Sequence, residues 1–419
     1  MKLSIQNLAK IKCADIELNG ITVIAGDNDT GKSTVGKVLY SVFSSYHLLP
    51  YTVKSNRGFS AANVVINVLS DAGIIKNIGG LLSGLDVIAE LSQIFANEPQ
   101  LNIDAVLMRS NEFIKNKYGV DIDADYIEDI KLRLKKIFDI TDAEIACQIV
   151  GTSFNRVFQN QTNSLQHMGN AEVDLRIKGR HVHTLIQNNI CEKADADVLL
   201  LRHAIYLDNP FVLDRISSGM MGTSNDTMRD LLKRLSEVNK EDVLNSIINK
   251  KSLDKVMRFI DKAVQGEFDK DDNNLVLKRA GWKEPLNVAN LSAGVKAFAV
   301  LKLLIQNNQL GEKDVLILDE PEIHLHPEWQ VLYAEFLVLF QKAFDLTILL
   351  TTHSPYFLNA IEVFARKYDR LSNVNYYQTK IEEDNMVTLV DVTNNLDEIY
   401  GSMAAPFNKL SEMEQELGM

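Results

Sequence analysis

Nine consecutive residues, Gly26, Asp27, Asn28, Asp29, Thr30, Gly31, Lys32, Ser33 and Thr34, carry the densest chemical signal in the chain. They fit G-x-x-x-x-G-K-[ST]. In that pattern glycines let backbone N–H groups wrap phosphate oxygens, and a helix starting at the loop adds its positive end. A lysine at this position reaches the β- and γ-phosphates of a nucleotide, and the hydroxyl that follows it suits Mg²⁺. A second group lies far away in sequence, in DVLILDEPE. Four apolar residues ending in Asp319 predict a buried strand that delivers a carboxylate to its end, suited to a Mg²⁺ shell. Glu320 follows, placed to polarise an attacking water as a general base.

Two further segments are ambiguous by themselves. Ser292, Ala293 and Gly294 stand where a helix begins, so Ser292 reads as a cap, yet a serine and a glycine at a helix N-terminus also make an anion site. His353 follows the apolar run TILLTT, and a histidine after a strand is more often packed than reactive.

The elements around these residues can be read from periodicity. LSIQNL and ADIELN alternate, Asn19-Gly20 signals a tight turn, and ITVIA runs directly into the glycine loop. Val35, Val38, Leu39 and Val42 then recur at helical spacing, so the loop joins a strand to a helix. EVDLRIK and HVHTLIQ alternate and predict a pair of strands, and HAIYLDNP predicts another that ends at Pro210. From Gly281 onward the order is helix (LSAGVKAFAVLKLLIQ), buried strand (DVLILDEP), helix (PEWQVLYAEFLVLFQKAF), buried strand (LTILLTTHSP), and one more strand, MVTLVDV. The expected class is α/β, a mixed sheet with an antiparallel β portion. Residues 1–45, 150–215 and 280–395 form the main domain, 46–149 and 216–279 a large helical insertion, and 396–419 a helical tail.

Composition narrows the classes. Of 419 residues, 46% are apolar and 24% charged, so a sizeable buried core is expected. A net charge of −12 argues against a general nucleic-acid coat, although a local basic face could still hold DNA. Cys13, Cys147 and Cys191 are too scattered for a zinc knuckle or a disulfide framework. The run of ~20 apolar residues that a membrane span needs is missing, and the opening lacks a signal-peptide core. A cytoplasmic protein without a membrane partner is the expectation. His324 and His326 in HLHP lack the neighbouring ligands of a zinc site, and Lys131 to Lys136, preceded by Glu128 and Asp129, read as a solvated helix face.

Taken in order, GDNDTGKST, LSAGVK, LILDEPE and TTHSP resemble the ATP-binding-cassette class of ATPases: phosphate loop, signature, Walker B with its glutamate, and switch histidine. Ser292 precedes Asp319 by 27 positions and His353 follows Asp319 by 34, in keeping with that class. The 260 positions between Lys32 and Ser292 are far more than transporter cassettes place there. LDEPEIHLHPEWQ, TTHSPYFLNAIE, ADIELNGITVIAGDNDTGKST and AIYLDNPFVLD look specifically like the RecF/SMC-like and OLD-like branch.

The resemblance implies an ABC-type P-loop ATPase head that uses ATP and Mg²⁺. Ser292, Ala293 and Gly294 would contact the γ-phosphate bound to a partner subunit, and His353 would sense that of its own. ATP would lie between subunits of a homodimer or higher oligomer. Ser33, Asp319 and a Q-loop glutamine would surround the metal. Gln161 is the candidate glutamine, with Gln159 beside it. Asp29 stands where this branch often has glycine, and Glu322, Ile323 and His324 replace the D-loop aspartate of transporters. The 66 residues after His353 lack room for the metal-binding TOPRIM domain of OLD-type nucleases, so an ATPase without its own effector is expected. It resembles the stand-alone ATPases of the Septu, retron-associated and PARIS anti-phage systems, which implies a separately encoded nuclease or toxin partner and a phage or DNA trigger. The alternative is a RecF-like DNA-maintenance ATPase with ATP-dependent DNA binding.

Overall fold

The computed structural model describes residues 1–73, 81–96, 102–119, 121–220, 222–238, 250–271 and 274–416. Its strands are β1 (Lys2–Leu8), β2 (Ile11–Glu17), β3 (Ile21–Ala25), β4 (Ala171–Ile177), β5 (Arg180–Gln187), β6 (Ile190–Ala196), β7 (Ala204–Leu207), β8 (Glu267–Asp271), β9 (Asn274–Lys278), β10 (Leu286–Asn287), β11 (Val315–Asp319), β12 (Thr347–Thr352), β13 (Val374–Ile381) and β14 (Val387–Asp391). The helices used below are α1 (Lys32–Tyr46), α2 (Leu49–Asp71), α3 (Leu81–Ala96), α4 (Ile103–Tyr118), α5 (Ala124–Phe138), α6 (Asp142–Val157), α7 (Val212–Ser217), α8 (Asp226–Ser236), α9 (Lys250–Ala263), α10 (Ala293–Gln306), α11 (Pro327–Phe344), α12 (Pro355–Lys367) and α13 (Asp397–Glu416). The chain divides into two compact units, residues 1–47 with 151–419, and residues 48–150.

The first unit is organised by an 11-stranded sheet in the order β6-β5-β4-β1-β2-β14-β13-β3-β12-β11-β7. β13, β3, β12, β11 and β7 run parallel. Such strands are covered on both faces, which is why ITVIA is buried at every position and VLILD at all but its last. β1, β2, β4, β5 and β6 are antiparallel neighbours, and their alternation of buried and exposed residues reflects one covered face. Helices α10, α11 and α12 bring Phe298, Tyr333, Phe336, Phe340 and Phe357 into the core, each fully buried. Burying one such ring contributes about 1.5–3 kcal/mol.

Residues 216–279, grouped on sequence with the helical insertion, lie in the first unit and end in β8 and β9, part of a separate three-stranded sheet with β10. Leu231, Leu232 and Leu235 are buried as their spacing predicts, but Val238 lies beyond the end of α8 and is 57% exposed. Residues 239–249 of that expected helical stretch lie outside the described residues. Between α12 and the C-terminal helix the chain forms two strands, β13 and β14, rather than the single expected one. β13, VNYYQTKI, was not legible because Asn375, Gln378 and Lys380 interrupt its apolar pattern.

The described residues of the second unit, 48–150, are mainly helical. Ile130 and Leu134 of α5 pack with Ala61, Val65, Leu69, Leu91 and Val106 from α2, α3 and α4. Arg57 is buried there and donates to the Asp142 carboxylate and the Ile140 carbonyl. Lys131 and Arg133 are paired with Asp104 and Asp129. Among the described residues no helix is long and apolar enough to cross a membrane.

Candidate functional site

Strand order assembles the site. β12 lies between β3 and β11, with Thr352 opposite Ala25 and Thr351 opposite Asp319. The loops leaving the carboxyl ends of these three parallel strands therefore meet at one edge, where open α/β sheets bind ligands. Residues 26–34, 319–320 and 353, spread over more than three hundred positions, become neighbours.

The glycine loop leads into α1 with Gly31 at φ 75°. Gly26 has φ 156°, and a Cβ there would come within 1.8 Å of Thr379 Oγ1, so β13 presses directly on the loop. Thr379 donates to Thr30 Oγ1 (2.8 Å), and Thr30 to the Asp27 carbonyl (2.7 Å). Asp29 adopts φ 60°, a conformation its short polar side chain tolerates. Lys10, from the β1–β2 turn, pairs with the Asp29 carboxylate at 2.7 Å. Asn28 and Thr34 belong to the same loop and helix start.

Lys32 is 4% exposed. Its ammonium donates to the carbonyls of Gly26 (2.9 Å) and Asp27 (2.7 Å) and lies 3.3 Å from Glu320 Oε1. Asp319 is bonded through both oxygens: Ser33 Oγ (2.9 Å) and Thr351 Oγ1 (2.7 Å) donate to Oδ1, and the Tyr206 hydroxyl (2.7 Å) to Oδ2. Burial, and then the Asp319 charge, push the Tyr206 hydroxyl well above its usual pKa, so it acts as a donor. Asp208, just past β7, has its carboxyl raised by burial first and by Asp319 among the rest. Glu320 leaves β11 with φ 47°, its N–H donating to Thr351 Oγ1 at 2.9 Å. His353 Nδ1 lies 3.6 Å from Glu320 Oε1. One cluster thus holds a buried ammonium, two carboxylates, a serine hydroxyl and an imidazole. Ser33 and Asp319 offer the hard oxygens that Mg²⁺ prefers, and they already lie within one hydrogen bond of each other.

The remaining expected residues are placed differently. Ser292 stands at the N-cap position of α10, but its side chain makes no cap hydrogen bond and the residue is exposed. The cap reading is therefore corrected in its bonding. The helix start is held instead by Lys296, 3% exposed, which bonds the Ala289 carbonyl (2.8 Å) and pairs with Asp214 (2.6 Å). Gly294 packs close to Trp329 and Leu325. Gln159 and Gln161 are exposed, and among the described residues no hydrogen bond joins either side chain to Ser33 or Asp319. His324 packs edge-on against Phe211 at 5.1 Å, and His326 stands at the N-cap position of α11 without a side-chain cap hydrogen bond. Neither is on a strand.

A family model described as "AAA domain, putative AbiEii toxin, Type IV TA system" matches residues 21–359, four-fifths of the chain, from β3 to the first turns of α12. The chain belongs to this family. It is a P-loop ATPase domain of the AAA family built on a mixed α/β sheet, as the sequence pattern led one to expect. No curated protein matches the sequence. Similar solved structures include an SMC head domain from Thermotoga maritima, 12% identical over 93% of this chain and 98% of that one, with a TM-score of 0.40. Another is an Smc head domain with an extended coiled coil, bound to the C-terminal domain of ScpA, from Pyrococcus furiosus. It is 9% identical over 99% of this chain and 98% of that one, with a TM-score of 0.41.

The contributions of Thr351, Tyr206, Lys10 and Thr379 to this AAA-family site were not foreseen. Tyr206 lies in AIYLDNP, singled out as a segment but not for its hydroxyl, and nothing in sequence marks the other three as neighbours of the loop.

Proposed function

We propose that this chain is an ATP-binding and ATP-hydrolysing subunit that dimerises or oligomerises around ATP and regulates a separately encoded nuclease or toxin in bacterial anti-phage defence. The observation that carries the enzymatic part is the convergence of Lys32, Ser33, Asp319, Glu320 and His353 at one sheet edge. In this reading residues 26–34 wrap the phosphates, and Lys32 exchanges its present carbonyl partners for β- and γ-phosphate oxygens. Ser33 and Asp319 would hold Mg²⁺, which would supply positive charge against the phosphates. Glu320 accepts the proton of the attacking water, and His353 donates to the γ-phosphate.

The exposed Ser292 at the N-terminal end of α10 supports a role toward a second subunit, since the first N–H groups of this helix have no side-chain cap. The family's description, a putative toxin of a type IV toxin–antitoxin system, supports a place in a two-component conflict system. The test is the composition and native mass of a tagged Glu320→Gln complex isolated from its host. A dimer or larger assembly holding ATP and a stoichiometric nuclease or toxin is expected. A homodimer carrying only nuclease-sensitive DNA would replace the defence role with DNA maintenance.

A further inference from the structure

Glu322 is a carboxylate almost entirely withdrawn from solvent, at 2% exposure, and the functions assigned above leave it unused. Its Oε1 accepts from Thr352 Oγ1 and from the backbone N–H of His353 (3.1 Å) and lies 4.0 Å from His353 Nδ1. Oε2 is buried and, among the described residues, has no hydrogen-bond partner. A carboxyl in such a place is costly to fold around, and a packing role alone would be better served by an apolar side chain. What it does geometrically is specific: it bonds both residues that carry the imidazole out of β12. A second tie runs parallel, because Ser354 Oγ donates to Gln330 Oε1 at 2.8 Å while Gln330 Nε2 donates to the Leu325 carbonyl at 3.1 Å. The turn that begins at Glu320 is thereby stapled to the loop that bears His353.

We propose that Glu322 is the positioning residue that holds His353 beside Glu320, so that the imidazole and the carboxylate keep one fixed relation to the terminal phosphate. The proposal rests on the ATPase reading of the site and deepens it. Glu322 touches no reacting atom. It acts through the His353 backbone and the Thr352 hydroxyl, and its loss frees the loop while leaving residues 26–34 intact.

The test combines turnover with histidine-selective NMR on the full chain, the His353 signal being assigned by its disappearance in His353→Asn. Glu322→Ala is expected to lower kcat roughly 10- to 100-fold, the usual cost of removing an orienting partner, with the affinity for ATP unchanged. Its His353 signal should lose the shift that Mg-ATP produces in the wild type. Glu322→Gln keeps an acceptor oxygen for both bonds and should recover the shift and most of the turnover, and it serves as the readout should Glu322→Ala fail to fold. Combined with His353→Ala, Glu322→Ala should cost nothing further, since residues acting as one unit are not additive. An unchanged His353 response to Mg-ATP in Glu322→Ala, or a Gln variant no better than Ala, would overturn the positioning role. Absence of turnover in the wild type would instead defeat the ATPase reading, while the NMR response still decides the position of His353.

Discussion

Two parts of the candidate site are built on opposite plans. Around the glycine loop, the Lys32 ammonium, the Ser33 hydroxyl, Glu320 and His353 each meet a group from the same chain, and both oxygens of Asp319 are occupied. At residues 292–294 Ser292 is exposed and makes no cap bond, Ala293 and Gly294 are half-buried, and the helix start is held by Lys296 through the Ala289 carbonyl and Asp214. A self-contained cluster can preorganise chemistry by itself. A helix end without a side-chain cap is a ready site for an anion brought to it. This contrast is what an ATP shared between subunits would require.

The contrast can be broken most severely at Lys32. Lys32→Ala should weaken ATP binding by roughly 100-fold or more, because charge-assisted bonds to phosphate are lost from a buried loop. Isothermal titration with ATP checks this, and wild-type affinity would remove the site assignment altogether. Glu320→Gln should leave binding intact while turnover falls roughly 10²- to 10⁴-fold, the usual contribution of a positioned base. Phosphate release measured beside ATP affinity separates the two effects.

Ser292→Glu sharpens the comparison from the other side. The position is exposed, so the fold and the ATP affinity of a monomer should be unchanged, whereas a carboxylate facing a partner's phosphate should cut ATP-dependent dimerisation by roughly tenfold. Light scattering with and without ATP decides it, and an unaffected dimer would place the interface elsewhere. Tyr206→Phe removes one donor to Asp319 and should raise the Mg²⁺ concentration for half-maximal turnover roughly tenfold, with full activity regained in excess Mg²⁺.

The smallest effect concerns pH. Burial raises the Glu322 carboxyl above its ordinary value of 4.5, so the folded chain holds this proton over a range where the unfolded chain has lost it. Stability from this group is then present below pH 4.5 and declines as pH rises through the elevated value. Thermal melts of wild type and Glu322→Gln should therefore diverge in favour of the variant as pH climbs above 4.5. Parallel melting curves would show that Glu322 is charged without penalty.

Much of the assembly was legible because local signals and global fold agree. ITVIA before GDNDTGKST, and VLILD before Glu320, are continuous apolar runs whose buried ends deliver their chemistry, and α1 keeps the helical spacing of Val35, Val38, Leu39 and Val42. β13 was missed because polar residues break its pattern, although Thr379 on that strand presses on Gly26. The assignment of 216–279 to a helical insertion also fell short. A short antiparallel pair such as β8 and β9, with one strand of mostly exposed charged residues, leaves little periodic trace.

By itself, the sequence determined which residues could handle a phosphate and which elements would carry them, because glycine spacing and apolar periodicity are local properties of the backbone. Only the tertiary structure decided that β12 inserts between β3 and β11, since strand order depends on non-local hydrogen bonds that no window of residues contains. That insertion brings His353 to Glu320, gives Asp319 its bonds from Thr351 and Ser33, and turns Glu322 inward toward the imidazole loop.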